Sequence, residues 1–168
     1  KLAENAYDGA PLHFIGHLQR NKVKQVVGKV ALIESVGSYE LLEDIDRQAE
    51  KLGIVQPILL EVNVGGEEAK SGFAVSEVRA AAERAKSLSH VVLRGLMTIP
   101  PVAEGAHGSV PYFEKVHALY VDINVSLYDN KLDILSMGMS GDYEDAVRCG
   151  ATMVRVGTAI FGARHYTL

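Results

Sequence analysis

Apolar and polar positions along the chain switch repeatedly between two periods. Short aliphatic and β-branched runs recur at residues 12–15, 31–35, 57–63, 93–98, 132–137 and 152–156, each followed by a turn cluster or by helical spacing. Residues 39–52 place Leu41, Leu42, Ile45, Ala49 and Leu52 on one helical face, with Ser38 as N-cap and Gly53 just past the end. Residues 76–88 repeat the pattern with Val78, Ala81, Ala82, Ala85 and Leu88. Pro111 stands at an N1 position ahead of Tyr112, Phe113, Val116, Leu119, Tyr120 and Ile123. A shorter helix is predicted over 142–149, closed by Gly150, and a weaker one over 21–28. Residues 1–7 read as the last turns of a helix, ended by Asp8-Gly9-Ala10-Pro11.

Strands alternating with helices of this length predict βα units and a parallel sheet with right-handed crossovers. No Gly-x-Gly-x-x-Gly fingerprint follows the first strand, which weakens a dinucleotide-binding reading. A complete (β/α) barrel needs eight units and about 250 residues. The 168 residues hold six predicted strands, so the spacing leaves a barrel lacking two units or an open sheet. No internal repeat or linker divides the chain, and residues 1–168 are expected to form a single domain that is incomplete at its N-terminus.

Composition narrows the function classes. The chain is 48% hydrophobic and 23% charged, with 17 basic and 21 acidic residues for a net charge of −4. That balance lacks the positive field of a nucleic-acid binder. The single cysteine, Cys149, rules out an internal disulfide framework and a Cys-based zinc site, and suits a reducing compartment such as the cytoplasm. Cys149 itself reads as a small core residue. No apolar run reaches the 18 or so residues of a membrane helix. The six histidines lack the spacing of a metal site, and no nucleophile elbow is present.

The candidate chemistry gathers at the last two strands. One runs into Met137-Gly138-Met139-Ser140-Gly141-Asp142, the other into Arg155-Val156-Gly157-Thr158-Ala159-Ile160-Phe161-Gly162. Parallel barrels bind phosphate in these two loops, where small residues allow close backbone approach and a helix start offers free N–H groups. Ser140 and Thr158 could each be simply a helix cap. Together, at these two loops, they favour anion binding. Strand alternation puts Met153, Arg155 and Gly157 on one face, with Val154 and Val156 opposite and packed against outer helices. Arg155 then points into the barrel mouth and must be paired, either by a ligand atom or by a strand carboxylate such as Glu61. His13 reads equally as a core histidine or a ligand contact. Glu61 and Asn63 share a strand face ahead of a polar loop, and Arg20, Lys22 and Lys24 read as a solvated helix face.

These segments resemble the pyridoxal phosphate (PLP) homeostasis family, PLP-binding proteins of the alanine racemase N-terminal-domain type. The likeness is carried by His13-Phe14-Ile15-Gly16 with Gln19 and Asn21-Lys22, by Glu61-Val62-Asn63 with Lys70-Ser71-Gly72, and by Arg94-Gly95-Leu96-Met97-Thr98-Ile99-Pro100. It continues through Leu135-Ser136-Met137-Gly138-Met139-Ser140 and Met153-Val154-Arg155-Val156-Gly157-Thr158-Ala159-Ile160-Phe161-Gly162. The resemblance implies an α/β fold, a (β/α)₈ TIM-type barrel of the fold-type III PLP class, here lacking the first two βα units. It further implies that Ser140, Gly157 and Thr158 hold the cofactor phosphate and that Arg155 lies beside the pyridine nitrogen. Asn63, Met97 and His13 lie on motifs near the cofactor. A cationic Arg155 there would disfavour protonation of the ring nitrogen and leave PLP a poorer electron sink.

The family carries PLP as a Schiff base on a lysine ending its first strand, and a Gly-Glu-Asn-Tyr-like motif on its second. Neither segment occurs in this sequence, and none of its lysines ends a predicted strand, so no Schiff-base lysine is assigned. The resemblance implies PLP binding and homeostasis (storage, buffering or delivery) without strong catalysis. PLP-dependent apoenzymes are the expected recipients, and a cytoplasmic monomer contacting neither nucleic acid nor membrane is the expected state. The alternatives are a fold-type III racemase or decarboxylase, and a PLP-independent phosphate-binding barrel.

Overall fold

Ser38 and Gly53 show how closely local chemistry sets the elements. In the computed structural model, which describes residues 8–67, 70–102, 105 and 107–162, the Ser38 hydroxyl accepts from the Leu41 N–H at 3.2 Å. Gly53 closes the same helix at φ +64. The full order is β1 (His13–Phe14), a 3₁₀ turn (Arg20–Lys22), α1 (Val23–Val26), β2 (Leu32–Val36), α2 (Tyr39–Leu52), β3 (Gln56–Asn63) and β4 (Phe73–Ala74). Then come α3 (Val78–Ser87), β5 (Val91–Thr98), α4 (Val110–Leu127), β6 (Ile134–Met139), α5 (Tyr143–Arg148), β7 (Met153–Arg155) and α6 (Thr158–Phe161).

All pairings are parallel, and the strands lie in the order β1-β2-β3-β5-β6-β7, with β4 attached beside β3. Each main strand therefore sits next to its predecessor without the reversal of order that marks a doubly wound sheet. The helices pack on one face. There Ile33, Val36, Ile58, Leu60, Val62, Leu96, Leu135 and Met137 meet Leu42, Ile45, Val78, Ala82, Phe113 and Val116 in one buried cluster. The other face carries a small floor of Leu32, Leu59 and Met97, with Ile134 and Met153 against it. Sequential parallel strands, helices on one side and a side-chain-filled interior on the other define the (β/α) barrel type.

Several sequence expectations are corrected. The predicted strand at 12–15 contracts to His13–Phe14 and that at 152–156 to Met153–Arg155, because each has only one paired neighbour among the described residues. Strand β6 runs two residues beyond the predicted 132–137, and β4 was not predicted at all. The weak helix at 21–28 is a 3₁₀ turn followed by one α-turn. Val154 and Val156 are half-buried and join neither apolar cluster, so their packing on outer helices is not realised among the described residues. The helix expected over 1–7 lies outside the described residues.

Three strands carry an extra residue. Pairing advances from Ile58↔Leu93 to Leu59↔Gly95, from Ile33↔Ile58 to Val36↔Leu60, and from Ser136↔Met153 to Met139↔Arg155. Such bulges break the period-2 rule and redirect side chains. On β5, Leu93 packs on the helix side while Met97, four residues on, lies on the floor inside. Gly95 makes this possible. It sits at φ +155, and a Cβ there would fall 1.6 Å from the Ile134 carbonyl oxygen. Gly95→Ala is expected to cost roughly 3 kcal/mol or more through strain and strand separation, read as a lower urea midpoint. An unchanged midpoint would show that β5 and β6 do not approach this closely.

Candidate functional site

Ser140 leaves the end of β6 on a turn built for close approach. Gly138 has φ +90, and a Cβ on it would sit 2.5 Å from that of Ala146. The Asp142 carboxylate accepts from the Met139 N–H at 2.7 Å and braces the same turn. The Ser140 hydroxyl does not cap α5, whose N-cap is Asp142. It reaches across to the start of α6 and accepts from the N–H groups of Gly157 (3.1 Å) and Ala159 (3.2 Å). Thr158 is the first residue of α6 rather than its cap. Two backbone donors thus converge on one oxygen at the C-terminal ends of adjacent strands. Among the described residues, chain neighbours aside, no atom lies within 4 Å of the Cβ positions of Gly141 or Gly157. With both N–H groups engaged, the Ser140 proton is not used in these two bonds and can be donated into that open space to a phosphate oxygen.

Arg155 faces inward, as alternation along β7 predicts. Its Nη1 donates to Ser136 Oγ at 2.7 Å and its Nη2 to the Thr98 carbonyl at 2.8 Å. Ser136 donates in turn to Glu34 Oε2 at 2.6 Å, and Glu34 Oε1 lies 2.9 Å from His13 Nδ1. Glu34 is only 1% exposed. The ion pair of Arg155 with Glu61 is not formed. Glu61 instead accepts from the Ser71 hydroxyl at 3.1 Å and acts on Arg155 only from farther away. Burial pulls the Arg155 pKa down, opposed chiefly by the charge of Glu34 and then by Asp142 and Glu61.

A cavity of about 1190 Å³ joins these groups, lined by His13, Glu34, Ser140, Arg155, Gly157, Thr158 and Phe161 among others. Five of the sequence-predicted site residues, His13, Ser140, Arg155, Gly157 and Thr158, therefore share one space. The other two do not line it. Met97 is wholly buried in the apolar floor. Asn63 donates to the backbone carbonyls of Glu67 (2.9 Å) and Lys70 (3.4 Å), pinning the following loop, and borders a separate cavity of about 320 Å³ with Glu61 and Ser71. Sequence reasoning missed Glu34, Ser136 and Thr98. A charged residue inside the apolar run Leu32-Ile33-Glu34-Ser35-Val36 was the available signal for the first. Cys149 is half-buried against the outer core, and burial raises its thiol pKa. Arg20 pairs with Asp44 at the surface. No helix among the described residues is long and apolar enough to cross a membrane.

Burial also raises the Glu61 pKa, with the Ser71 hydrogen bond opposing it. An acid whose pKa is higher folded than unfolded loses stability as pH rises from the unfolded value through the folded one. Glu61→Gln keeps an acceptor for Ser71 and removes the buried charge. Its melting midpoint should exceed the parent's by about 2 °C at pH 7, with the gap closing toward pH 4. A lower midpoint at pH 7 would show that the carboxylate is stabilising.

Comparison with known proteins bears on these loops as a whole. The family model described as alanine racemase, N-terminal domain, matches residues 1–165. A pyridoxal phosphate homeostasis protein of Aquifex aeolicus is 47% identical over 154 residues, covering 92% of this chain and 67% of that protein. The structure of PipY from Synechococcus elongatus, determined with PLP bound, superposes with a TM-score of 0.83 at 33% identity, covering 95% of this chain and 74% of that one. An unknown protein from Bifidobacterium adolescentis superposes at 0.85 with 41% identity, over 90% of this chain and 60% of its own. The chain thus spans roughly two thirds of the length of these relatives. By sequence and by fold, it belongs to the pyridoxal phosphate homeostasis proteins of the alanine racemase N-terminal-domain family.

Proposed function

We propose that the chain binds pyridoxal 5'-phosphate in the cavity between β1 and β7 and serves PLP homeostasis (storage, buffering or delivery), as a single domain without strong catalysis of its own. The observation that carries this reading is the convergence of the Gly157 and Ala159 N–H groups on Ser140, beside the inward-facing Arg155. PLP combines a phosphate with a flat aromatic ring, and the site offers both kinds of partner. The hydroxyls of Ser140, held by those two N–H groups, and of Thr158 suit the phosphate. Arg155, with two of its five N–H groups engaged by Ser136 and Thr98, has donors left for a ring heteroatom. His13 borders the same space, while Asn63 and Met97 act from outside it by fixing a loop and a floor. The PipY structure with PLP bound supports the same assignment.

When bound, PLP supplies an electron-withdrawing ring that can stabilise negative charge on an attached amino acid. The residues here restrain that chemistry. Arg155 keeps a positive charge in the cavity, and a neighbouring cation disfavours adding a proton to a ring nitrogen. Racemisation or decarboxylation of an amino acid is the alternative function, and Arg155 weighs only against the form of either that relies on a protonated ring nitrogen. Apoenzymes that use PLP are the proposed recipients, and a cytoplasmic monomer is the proposed state.

Ser140→Ala should weaken PLP binding to the intact protein about tenfold, the size of one hydrogen bond to a charged group, and inorganic phosphate should compete with PLP. Absorbance titration reads both. Unchanged affinity together with no competition would remove the phosphate assignment. No described lysine lines the cavity. PLP bound by this 168-residue chain should therefore leave no single-site adduct after borohydride treatment, as read by intact mass.

A further inference from the structure

We infer that Glu34, acting through the Ser136 hydroxyl, is the positioning residue that orients Arg155 toward the cofactor. This rests on the PLP reading above but adds residues that the phosphate loops do not require.

The hydrogen-bond directions are forced. A carboxylate can only accept, so the single Ser136 proton is committed to Glu34 Oε2 at 2.6 Å. The Ser136 lone pairs are then left for a donor, and Arg155 Nη1 supplies it at 2.7 Å. The second terminal nitrogen is held independently by the Thr98 carbonyl at 2.8 Å. Two grips on the two terminal nitrogens fix the plane of the guanidinium, not merely its position.

Two of the extra residues in the sheet lie beside this network. The bulge in β2 falls between Ile33 and Val36, which both pack on the helix side, and Glu34 lies between them facing the cavity. The bulge in β6 lies between Ser136 and Met139 and lets Arg155, two residues beyond the partner of Ser136, turn back to it. A mere core partner for His13 would not need Ser136. The second oxygen of Glu34 would instead be left to burial without a donor, which is costly.

The test compares Glu34→Leu, Ser136→Ala, Ser136→Thr, Arg155→Gln and the Glu34→Leu/Arg155→Gln double variant in the intact protein. PLP affinity, the absorption maximum of bound PLP and the melting midpoint of the PLP-free protein are measured for each. Arg155→Gln is expected to weaken PLP and move its absorption maximum. Glu34→Leu, which leaves no acceptor for Ser136, and Ser136→Ala should each weaken PLP about five- to tenfold and move the maximum in the same direction. Ser136→Thr, which keeps the hydroxyl, should recover most of what Ser136→Ala loses. In the Arg155→Gln background, Glu34→Leu should change neither affinity nor spectrum. Parental affinity and spectrum in both Glu34→Leu and Ser136→Ala, with Arg155→Gln altered, would overturn the inference and leave the PLP reading standing. An equal effect of Glu34→Leu in both backgrounds, tracking only a lower melting midpoint, would overturn it as well. A parental Arg155→Gln would instead overturn the placement of PLP beside Arg155.

Discussion

Placing an arginine inside a parallel sheet is the constraint around which this site is organised. The inner face has an apolar floor of Leu32, Leu59 and Met97, and above it a charged layer of Glu34, Glu61 and Arg155. A guanidinium out of water must find acceptors, and an isolated buried charge costs several kcal/mol. Ser136, Thr98 and, through Ser136, Glu34 supply that need from three different strands. The described part of the layer is therefore neither a dry core nor an open channel. It is a polar shelf held level by hydrogen bonds between strands, on which a ligand with both charged and aromatic parts can rest.

The shelf depends on irregularity. In an unbroken parallel ladder, side chains two apart share a face, and all six main strands would present the same parity from end to end. Extra residues in β2, β5 and β6 interrupt that rule, those in β2 and β6 beside Glu34 and Ser136. Gly95 permits one of these interruptions, because only the absence of a Cβ lets β5 lie against the Ile134 carbonyl. Bulges near functional sites re-aim individual side chains without altering the fold around them.

That irregularity explains what the sequence could and could not reveal. Helix α2 was legible to the residue, since an N-cap serine, a 3.6-residue apolar period and a closing glycine all act locally. Inward-facing Arg155 was legible too, because Met153–Arg155 is too short to contain a bulge. The family motifs pointed to these two loops but not to the tie between them. A serine hydroxyl bonded to N–H groups 17 and 19 residues away has no signature in local spacing. Glu34 stayed hidden for a related reason. Alternation from Leu32 places it inward, but its partner Ser136 stands 102 residues away. The edge strands were overextended because propensity counts residues, whereas a strand's length is set by its paired neighbours.

Ser140 shows how much of the proposed binding act is built before any ligand arrives. The Gly157 and Ala159 N–H groups already hold the Ser140 oxygen, so the hydroxyl proposed to meet a phosphate is fixed before binding, and the entropic cost of binding falls accordingly. The same preorganisation acts at the other end, where Ser136 and Thr98 hold Arg155 in place. The proposed holding of PLP therefore draws on two polar groups fixed in advance, Ser140 at one end of the cavity and Arg155 at the other.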